Sequence, residues 1–162
     1  MWAWLALPLS TLLCLLAGFR RYTYQRGWKQ RQQLKVPVIV IGNVSIGGAG
    51  KTPLVAAIAR RLQAQGYQPG IVSRGYKGEA LTWPQFVSPD SDPRLVGDET
   101  VMLAQQTGCP VIAGPERTLS AKQLIDQHGC DVILSDDGFQ HFKLQRDIDI
   151  VVVDAARGLG NR

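Results

Sequence analysis

The residues with the clearest chemical potential form a glycine-rich loop with the sequence SIGGAGKTP. Glycines in such a loop let backbone amides turn toward phosphate oxygens, while Lys51 can reach the β- and γ-phosphates of a nucleotide and the Thr52 hydroxyl can bind Mg²⁺. Ser45 stands where the usual G-x-x-x-x-G-K-[ST] pattern has its first glycine, and a small polar residue can make that turn if its φ stays negative. The alternative is a strand-to-helix turn with coincidental glycines. The predicted nucleotide-binding residues are Ser45, Ile46, Gly47, Gly48, Ala49, Gly50, Lys51 and Thr52.

A pair of carboxylates follows an apolar run in the segment DVILSDDGFQH. If the run is a strand, Asp136 and Asp137 lie at the carboxyl edge of the sheet, beside the glycine-rich loop. An enzyme with such a loop needs an acidic residue there to hold Mg²⁺ or its water shell. We therefore predict a magnesium site formed by Thr52, Asp136 and Asp137. Two turn aspartates before a glycine are the alternative.

Three further charged residues could take part in phosphate chemistry. Asp98, in VGDET, either accepts the proton of an attacking hydroxyl or caps its own helix, and the spacing alone favours the cap. Arg74, in SRGYKG, follows a strand at the same edge of the sheet and could bind phosphate, with a solvated basic turn as the alternative. Arg117, in GPERT, is a candidate to neutralise transition-state charge.

The elements that must position these residues alternate between strands and helices. The apolar, β-branched run VPVIVIG is typical of a strand buried on both faces, and KTPLVAAIARRLQAQG carries a helical stripe. Further strands are predicted in GIVSRG, CPVIAG, DVILSDD and DIDIVVVDA, and helices in DETVMLAQQTG and ERTLSAKQLIDQHG. This alternation predicts an α/β fold of the P-loop NTPase type, with helices on both faces of a mostly parallel sheet. The segment YKGEALTWPQFVSPDSDPRLVG is predicted to be a long loop or small excursion.

The N-terminus has the pattern of a membrane segment. Its first 19 residues carry no charge, and as a helix they would be about 28 Å long, close to the hydrocarbon thickness of a bilayer. The next stretch, RRYTYQRGWKQRQQLK, holds six basic residues and no acid, whereas a cleaved signal peptide carries its charge before the apolar run. We expect residues 1–35 to form a membrane helix with a cytoplasmic basic collar that meets an anionic membrane surface. A helix lying in the interface and a buried core helix are the alternatives.

The charge distribution also indicates contact with phosphate. The chain carries eleven basic residues and no acidic residue before Glu79, and thirteen acidic and seven basic residues from there on. Such a basic region predicts a lipid or nucleotide partner. Its basic residues are not interleaved with aromatics for base stacking, so no nucleic-acid partner is predicted. The cysteines Cys14, Cys109 and Cys130 fit neither a zinc site nor a disulfide framework, which indicates buried thiols in a reducing compartment.

Taken together, these motifs resemble those of the tetraacyldisaccharide 4′-kinase family of lipid A biosynthesis. The matching stretches are VPVIVIGNVSIGGAGKTP, SRGYKG, VGDE and DVILSDDGFQHFKLQRDIDIVVVDA, which run from about Val36 to Ala155. The combination of G-G-x-G-K-T-P with D-D-G-F-Q-H is far more specific than a phosphate-binding loop alone. A small hydroxylated residue also occurs at the first loop position in that family, so Ser45 fits the resemblance.

The resemblance implies transfer of the γ-phosphate of ATP, with Mg²⁺, to the 4′-hydroxyl of a lipid A disaccharide 1-phosphate precursor. It places the enzyme at the cytoplasmic face of the bacterial inner membrane. It assigns ATP to the loop from Ser45 to Thr52, the base role to Asp98, and the metal and phosphates to Asp136 and Asp137. The residues that fit phosphate contacts are Arg74 and Arg117.

The predicted organisation is an N-terminal membrane helix and collar over residues 1–35, followed by a P-loop kinase domain over residues 36–162. The resemblance implies a chain about twice as long with a second, C-terminal lobe, so a fragment is one interpretation of this sequence, and the sequence alone leaves that open. The competing functions are a membrane-tethered P-loop NTPase that acts as a switch or delivery factor, and a non-catalytic nucleotide-binding fragment. No protein partner is inferred from the sequence.

Overall fold

The computed structural model describes residues 31–43 and 50–155, together with seven residues of the N-terminal segment, namely Thr11, Leu15, Gly18, Phe19, Tyr22, Thr23 and Arg26. Within the two continuous ranges the strands are β1 (Val38–Asn43), β2 (Pro69–Ser73), β3 (Gln85–Val87), β4 (Val111–Ala113), β5 (Val132–Asp136) and β6 (Ile148–Val152). The helices there are α1 (Lys51–Ala64), α2 (Pro93–Val96), α3 (Asp98–Thr107) and α4 (Arg117–His128). The strands and helices predicted for this part of the chain are confirmed, with shifts only at their ends.

The described strands form one six-stranded sheet in the order β3-β4-β2-β5-β1-β6. Neighbouring strands are parallel except for β3 and β4. Strands β1 and β5 are direct neighbours, and their register places Ile41 opposite Asp136. Because parallel strands end at the same edge of a sheet, the segments that follow β1, β2 and β5 meet at that edge.

The strands alternate apolar side chains between two separate cores. Ile39 and Ile41 of β1 belong to the core that α1 and α3 cover, whereas Val38 and Val40 belong to the core that α4 covers. A fully buried side chain of this size contributes about 1.5–3 kcal/mol. Burial on both faces therefore explains the continuous apolar runs in the sequence. The predicted α/β fold, with helices on both faces of a mostly parallel sheet, is confirmed.

The segment between β2 and α3 is a compact excursion. It contains β3 and the single-turn helix α2, which Asp92 caps by accepting a 2.9 Å hydrogen bond from Arg94 N. The Trp83 ring packs closely over Gly75 and Gly78, and a Cβ on Gly75 would lie 2.7 Å from that ring. These contacts anchor the excursion beside the end of β2.

The predicted membrane helix and collar lie mostly outside the described residues. Among the residues that are described, no helix has the length and the apolar character needed to cross a bilayer. Gln32, near the end of the predicted collar, pairs with the loop after β5: its N–H donates to Lys143 O at 2.7 Å, and Gln145 N donates to Gln32 O at 3.0 Å. The end of the collar is therefore tied to this loop.

The loop after β5 also packs against the end of β1. Gly42 leaves space that the Phe139 ring occupies, because a Cβ at residue 42 would lie 2.5 Å from Phe139 Cδ2. Gly138 is equally close to the strands, since a Cβ there would lie 2.5 Å from Ser135 Oγ and 2.9 Å from Val40 Cγ1. These contacts hold the residues that follow Asp136 and Asp137 over the end of β1.

We expect Gly42→Ala to destabilise the chain by about 1–3 kcal/mol, because the added methyl group overpacks against the Phe139 ring. Urea denaturation measures the free energy of unfolding. In a Phe139→Leu background, Gly42→Ala should lower the free energy of unfolding by less than it does in the unmodified chain, because the smaller leucine side chain leaves room for the added methyl group. If the losses of unfolding free energy in the two single variants simply add in the double variant, the contact between residue 42 and the Phe139 ring is contradicted.

Candidate functional site

Lys51 is the first residue of α1, and its side chain reaches the end of β1. Gly50, directly before it, has a left-handed φ of 76°, which glycine adopts without strain. Pro53 lies in the first helical turn, where its missing N–H breaks no helical hydrogen bond. Lys51 Nζ donates a 2.8 Å hydrogen bond to Asn43 Oδ1. The predicted loop residues outside the described part of the chain are Ser45, Ile46, Gly47, Gly48 and Ala49.

The same ammonium group faces a carboxylate from the loop after β5. Lys51 Nζ lies 3.7 Å from Asp137 Oδ1, and the two side chains are 19% and 59% exposed. The Asp137 carboxylate is thus exposed, whereas the Lys51 side chain is partly buried. The Asp137 N–H donates to Ile41 O at 2.8 Å, so Asp137 is also tied to β1 through its backbone. The structure thus brings the ends of β1 and β5 together around Lys51.

Asp136, the last residue of β5, has a buried carboxyl group. The residue is 3% exposed, and Oδ1 has no hydrogen-bond partner in the described part of the chain. Burial raises the pKa of Asp136 to about 6, with the negative charge of Glu99 as the next cause, while Arg117 and Lys51 act in the opposite direction. An unpartnered buried carboxylate oxygen is costly, and groups with such shifted pKa values are common at functional sites.

Asp98 is the first residue of α3 and is exposed. Its Oδ1 accepts a 3.0 Å hydrogen bond from Glu99 N, at a helix N-terminus where the helix dipole favours negative charge. Gly97 is the N-cap of α3 and no side chain caps this helix, so Asp98 is not the N-cap that the alternative proposes. The predicted base role of Asp98 stays a prediction.

The two arginines predicted to contact phosphate have different environments. Arg74 follows β2 and is exposed. Arg117, the first residue of α4, is 2% exposed, and its guanidinium donates to Gly114 O at 3.2 Å and to Asp136 O at 2.9 Å. Burial lowers the pKa of Arg117 to about 10, with the charges of Asp136 and Asp137 opposing the shift, so Arg117 is a cation at neutral pH.

Two residues at this edge of the sheet are missing from the sequence prediction. Asn43 accepts the hydrogen bond from Lys51, and its place between an apolar strand and the glycine-rich loop is the signal that identifies it. Glu99 lies close enough to raise the pKa of Asp136 through its charge. Its signal is its position next to Asp98 in VGDET.

The oxygen donors at this edge fit a magnesium ion. Mg²⁺ is usually bound by one or two carboxylates and completes its shell with water and phosphate oxygens. Asp136 offers a buried oxygen without a partner, Asp137 an exposed carboxylate, and Thr52 a hydroxyl in the first turn of α1. Within residues 31–43 and 50–155, no three histidine, cysteine or acidic side chains form a group that could hold a metal ion. A magnesium ion here would therefore depend on water and phosphate for its remaining ligands.

Named proteins match this sequence over nearly its whole length. The model of the family LpxK, tetraacyldisaccharide-1-P 4′-kinase, matches residues 2–162. A tetraacyldisaccharide 4′-kinase of Alkalilimnicola ehrlichii is 54% identical over 161 residues, which are 98% of this chain and 48% of that protein. The protein of the same name in Nitrosococcus oceani is 51% identical over 158 residues, 98% of this chain and 47% of that protein. The chain thus spans about half the length of the curated relatives it matches.

A solved structure matches in fold as well as in sequence. The crystal structure of the "apo" form of LpxK from Aquifex aeolicus in complex with ATP superposes with a TM-score of 0.84 and 33% sequence identity. The match covers 93% of this chain and 49% of that chain. The two proteins therefore share their fold over nearly the whole of the present chain.

We predict that Asp136→Asn stabilises the chain at pH 7–8 in magnesium-free buffer, because the amide replaces a buried charge. The folded-state pKa of about 6 lies above the ordinary value of 3.8. At low pH the Asp136 carboxyl group is neutral, and its burial does not oppose folding. The free energy of unfolding therefore falls as the pH rises through the folded-state pKa and the group becomes charged. The advantage of the variant should be close to zero near pH 4 and reach about 1–3 kcal/mol above pH 6.5.

Urea unfolding of both proteins across this pH range measures the difference. Asp126→Asn, which removes an exposed carboxylate of α4, controls for the change in net charge. A difference between Asp136→Asn and the unmodified chain that does not vary with pH would show that the pKa of Asp136 is not raised.

Proposed function

The chain belongs to the tetraacyldisaccharide-1-P 4′-kinase family, and on this basis we propose that it is the nucleotide-binding part of a lipid kinase. The proposed reaction transfers the γ-phosphate of ATP to the 4′-hydroxyl of a tetraacyl glucosamine disaccharide 1-phosphate, a precursor of lipid A. Because the chain spans about half the length of its relatives, we assign the activity to a protein that contains this chain.

The position of Lys51 supports this proposal more than any other observation. Its ammonium group lies 2.8 Å from Asn43 Oδ1 and 3.7 Å from Asp137 Oδ1, at the N-terminus of α1. A helix N-terminus that follows a glycine-rich loop attracts phosphate, and the lysine adds a positive charge at the same place. A bound triphosphate would replace Asp137 as the counter-ion of Lys51.

Phosphoryl transfer depends mainly on positioning and on neutralising charge. We assign Lys51 to the β- and γ-phosphates, and the backbone amides between Ser45 and Thr52 to the rest of the triphosphate. Thr52, Asp136 and Asp137 would hold Mg²⁺, whose charge would neutralise part of the negative charge of the phosphates. The chain itself then has to orient the phosphates and keep the carboxylates in place.

We assign the base role to Asp98. Its carboxylate is exposed at the start of α3, so it can accept a proton from a hydroxyl of the acceptor sugar. Gly97, directly before it, packs against the segment that carries Arg74, since a Cβ on Gly97 would lie 2.6 Å from Tyr76 O. This packing keeps Asp98 near the edge where Arg74, also exposed, could contact phosphate.

An acylated sugar lies in a membrane, so its kinase has to work at the membrane surface. We propose that residues 1–35 contact an anionic inner-membrane surface on the cytoplasmic side, and that residues 36–162 form the kinase domain. The uncharged run and its basic collar support this division. The backbone pairing of Gln32 with Lys143 and Gln145 would hold the loop after β5 close to the bilayer.

We expect Lys51→Ala to weaken the binding of ATP, measured with Mg²⁺ by isothermal titration calorimetry, by at least about tenfold, because the phosphates lose their cationic partner. Lys122→Ala, which removes an exposed lysine of α4, is the matched control and should bind ATP like the unmodified chain. Equal affinities of the two variants would remove Lys51 from the nucleotide site.

The function itself is tested with a protein that carries this sequence at the full length of its relatives. It is given γ-labelled ATP, Mg²⁺ and an acylated glucosamine disaccharide 1-phosphate, and we expect the label on the 4′-hydroxyl. In the same assay Asp98→Ala should lower kcat by about 10²–10⁴-fold, because the attacking hydroxyl loses its base.

Two outcomes of this assay would change the assignment. Label released only as free phosphate would favour the alternative, a membrane-tethered NTPase. Unchanged turnover of Asp98→Ala would leave Asp98 with only its contact to Glu99 N at the start of α3, and Asp92→Ala, which removes a carboxylate at the start of α2, controls for the loss of such a group at a helix N-terminus.

A further inference from the structure

Arg117 makes contacts that the proposed nucleotide chemistry does not require. It is the largest fully buried side chain in the described part of the chain. Nη1 donates to Gly114 O at 3.2 Å, and Nη2 donates to Asp136 O at 2.9 Å. A cation in the first turn of a helix is opposed by the helix dipole, so the stability of α4 does not explain its position. The two carbonyl groups provide the explanation.

These carbonyls lie at the ends of two strands that are not neighbours. β2 lies between β4 and β5, and its ladder with β5 ends one residue before Asp136. No amide of β2 therefore donates a hydrogen bond to the Asp136 carbonyl. Arg117 donates to it instead. Gly114 N also donates to Ser73 O at 2.9 Å. The ends of β4, β2 and β5 are thus linked at one point.

The bond to Asp136 O acts on the peptide group that joins the two site aspartates. The carbonyl of this peptide accepts from Arg117, and its N–H, which belongs to Asp137, donates to Ile41 O at 2.8 Å. Both polar ends of the peptide are therefore held, one by α4 and the other by β1. Asp137 has a φ of 52°, which is uncommon for a residue with a side chain. The two hydrogen bonds therefore hold the peptide next to an unfavourable backbone conformation.

We propose that Arg117 is a positioning residue whose guanidinium, by holding the Asp136–Asp137 peptide, sets the directions in which both carboxylates leave the backbone. One of these carboxylates is buried, and the other lies 3.7 Å from Lys51 Nζ. A rotation of the peptide would move both. The consequence for catalysis rests on the proposed function, whereas the restraint on the backbone does not.

Arginine suits this task better than lysine. Its planar fork reaches two acceptors in a fixed geometry, while lysine offers one ammonium group on a flexible stem. The guanidinium is enclosed, with the residue only 2% exposed, and its Nε has no partner in the described part of the chain, so the two terminal bonds are what hold it. This burial favours a positioning role over the phosphate contact that the sequence predicts.

The test compares Arg117→Met and Arg117→Lys in the nucleotide-free chain, with Arg61→Met, an exposed arginine of α1, as the control. Amide hydrogen exchange followed by NMR reports the Asp137 N–H directly, and the Val40 amide in the middle of β1 is the reference for global opening. In Arg117→Met we expect the Asp137 amide to exchange at least about tenfold faster relative to Val40. The acceleration should be smaller in Arg117→Lys and absent in Arg61→Met.

Either of two results would overturn the proposal. One is an Asp137 amide that keeps its protection in Arg117→Met. The other is equal acceleration at Asp137 and Val40, which would mean a loss of global stability instead of a local restraint. If Arg117→Met does not fold, the same comparison in Arg117→Lys decides, because lysine keeps the charge but not the fork.

Kinetics of a protein at the full length of the relatives give an independent readout. A positioning role predicts that Arg117→Lys lowers kcat by about 10- to 100-fold while the KM for ATP stays within about threefold. A raised KM for ATP with unchanged kcat would indicate a direct phosphate contact and overturn the proposal. If the label-transfer assay instead shows release of phosphate to water, the proposed function fails while the exchange result at Asp137 still stands.

Discussion

The charge of Asp136 is the constraint around which this edge of the sheet is organised. A carboxylate that is 3% exposed is unfavourable as an anion unless neighbouring cations compensate for its burial. The compensating charges come from Lys51 and Arg117, which begin α1 and α4 on opposite faces of the sheet. Both cations occupy a helix N-terminus, where the dipole opposes them. The helices to which they belong therefore do not explain their positions, which place two positive charges beside the acidic end of β5.

Sheet topology makes this convergence possible. β1 and β5 are parallel neighbours, so the start of α1 and the loop after β5 leave the sheet at the same edge. The Phe139 ring over Gly42 and the backbone pairing of Gln32 with Lys143 then hold that loop in place. Each of these contacts joins segments that are far apart in sequence. The geometry of the site is thus a property of the whole sheet.

This origin explains what the sequence could predict. Apolar runs such as VPVIVIG are local signals, because a strand buried on both faces needs apolar residues at every position, and such runs predict every described strand except β3. The rule that parallel strands share an edge then predicts that Lys51 and Asp137 lie close together, and they do. The fold and the meeting of these two charges follow from pattern and topology alone.

The environment of Arg117 could not be predicted in this way. GPERT marks it only as a basic residue that could neutralise transition-state charge. Its burial depends on strand order, since the carbonyls it binds lie on either side of β2. The hydrogen bond from Lys51 to Asn43 depends on a side-chain conformation that a pattern does not encode. The sequence therefore identifies candidate residues by their chemical type and by the edge of the sheet at which they lie. It does not distinguish a residue that contacts a ligand from one that holds the backbone.

The site combines a fixed part with a part that can change partners. The peptide between Asp136 and Asp137 is held at both ends by Arg117 and Ile41, so the backbone that carries both carboxylates is restrained. Lys51, in contrast, is held by one hydrogen bond and by a 3.7 Å ion pair with an exposed carboxylate. Its ammonium group can therefore leave Asp137 for a more highly charged partner at little cost. In the proposed reaction the backbone that carries the carboxylates would keep its position, while the Lys51 ammonium group would move with the transferred phosphate.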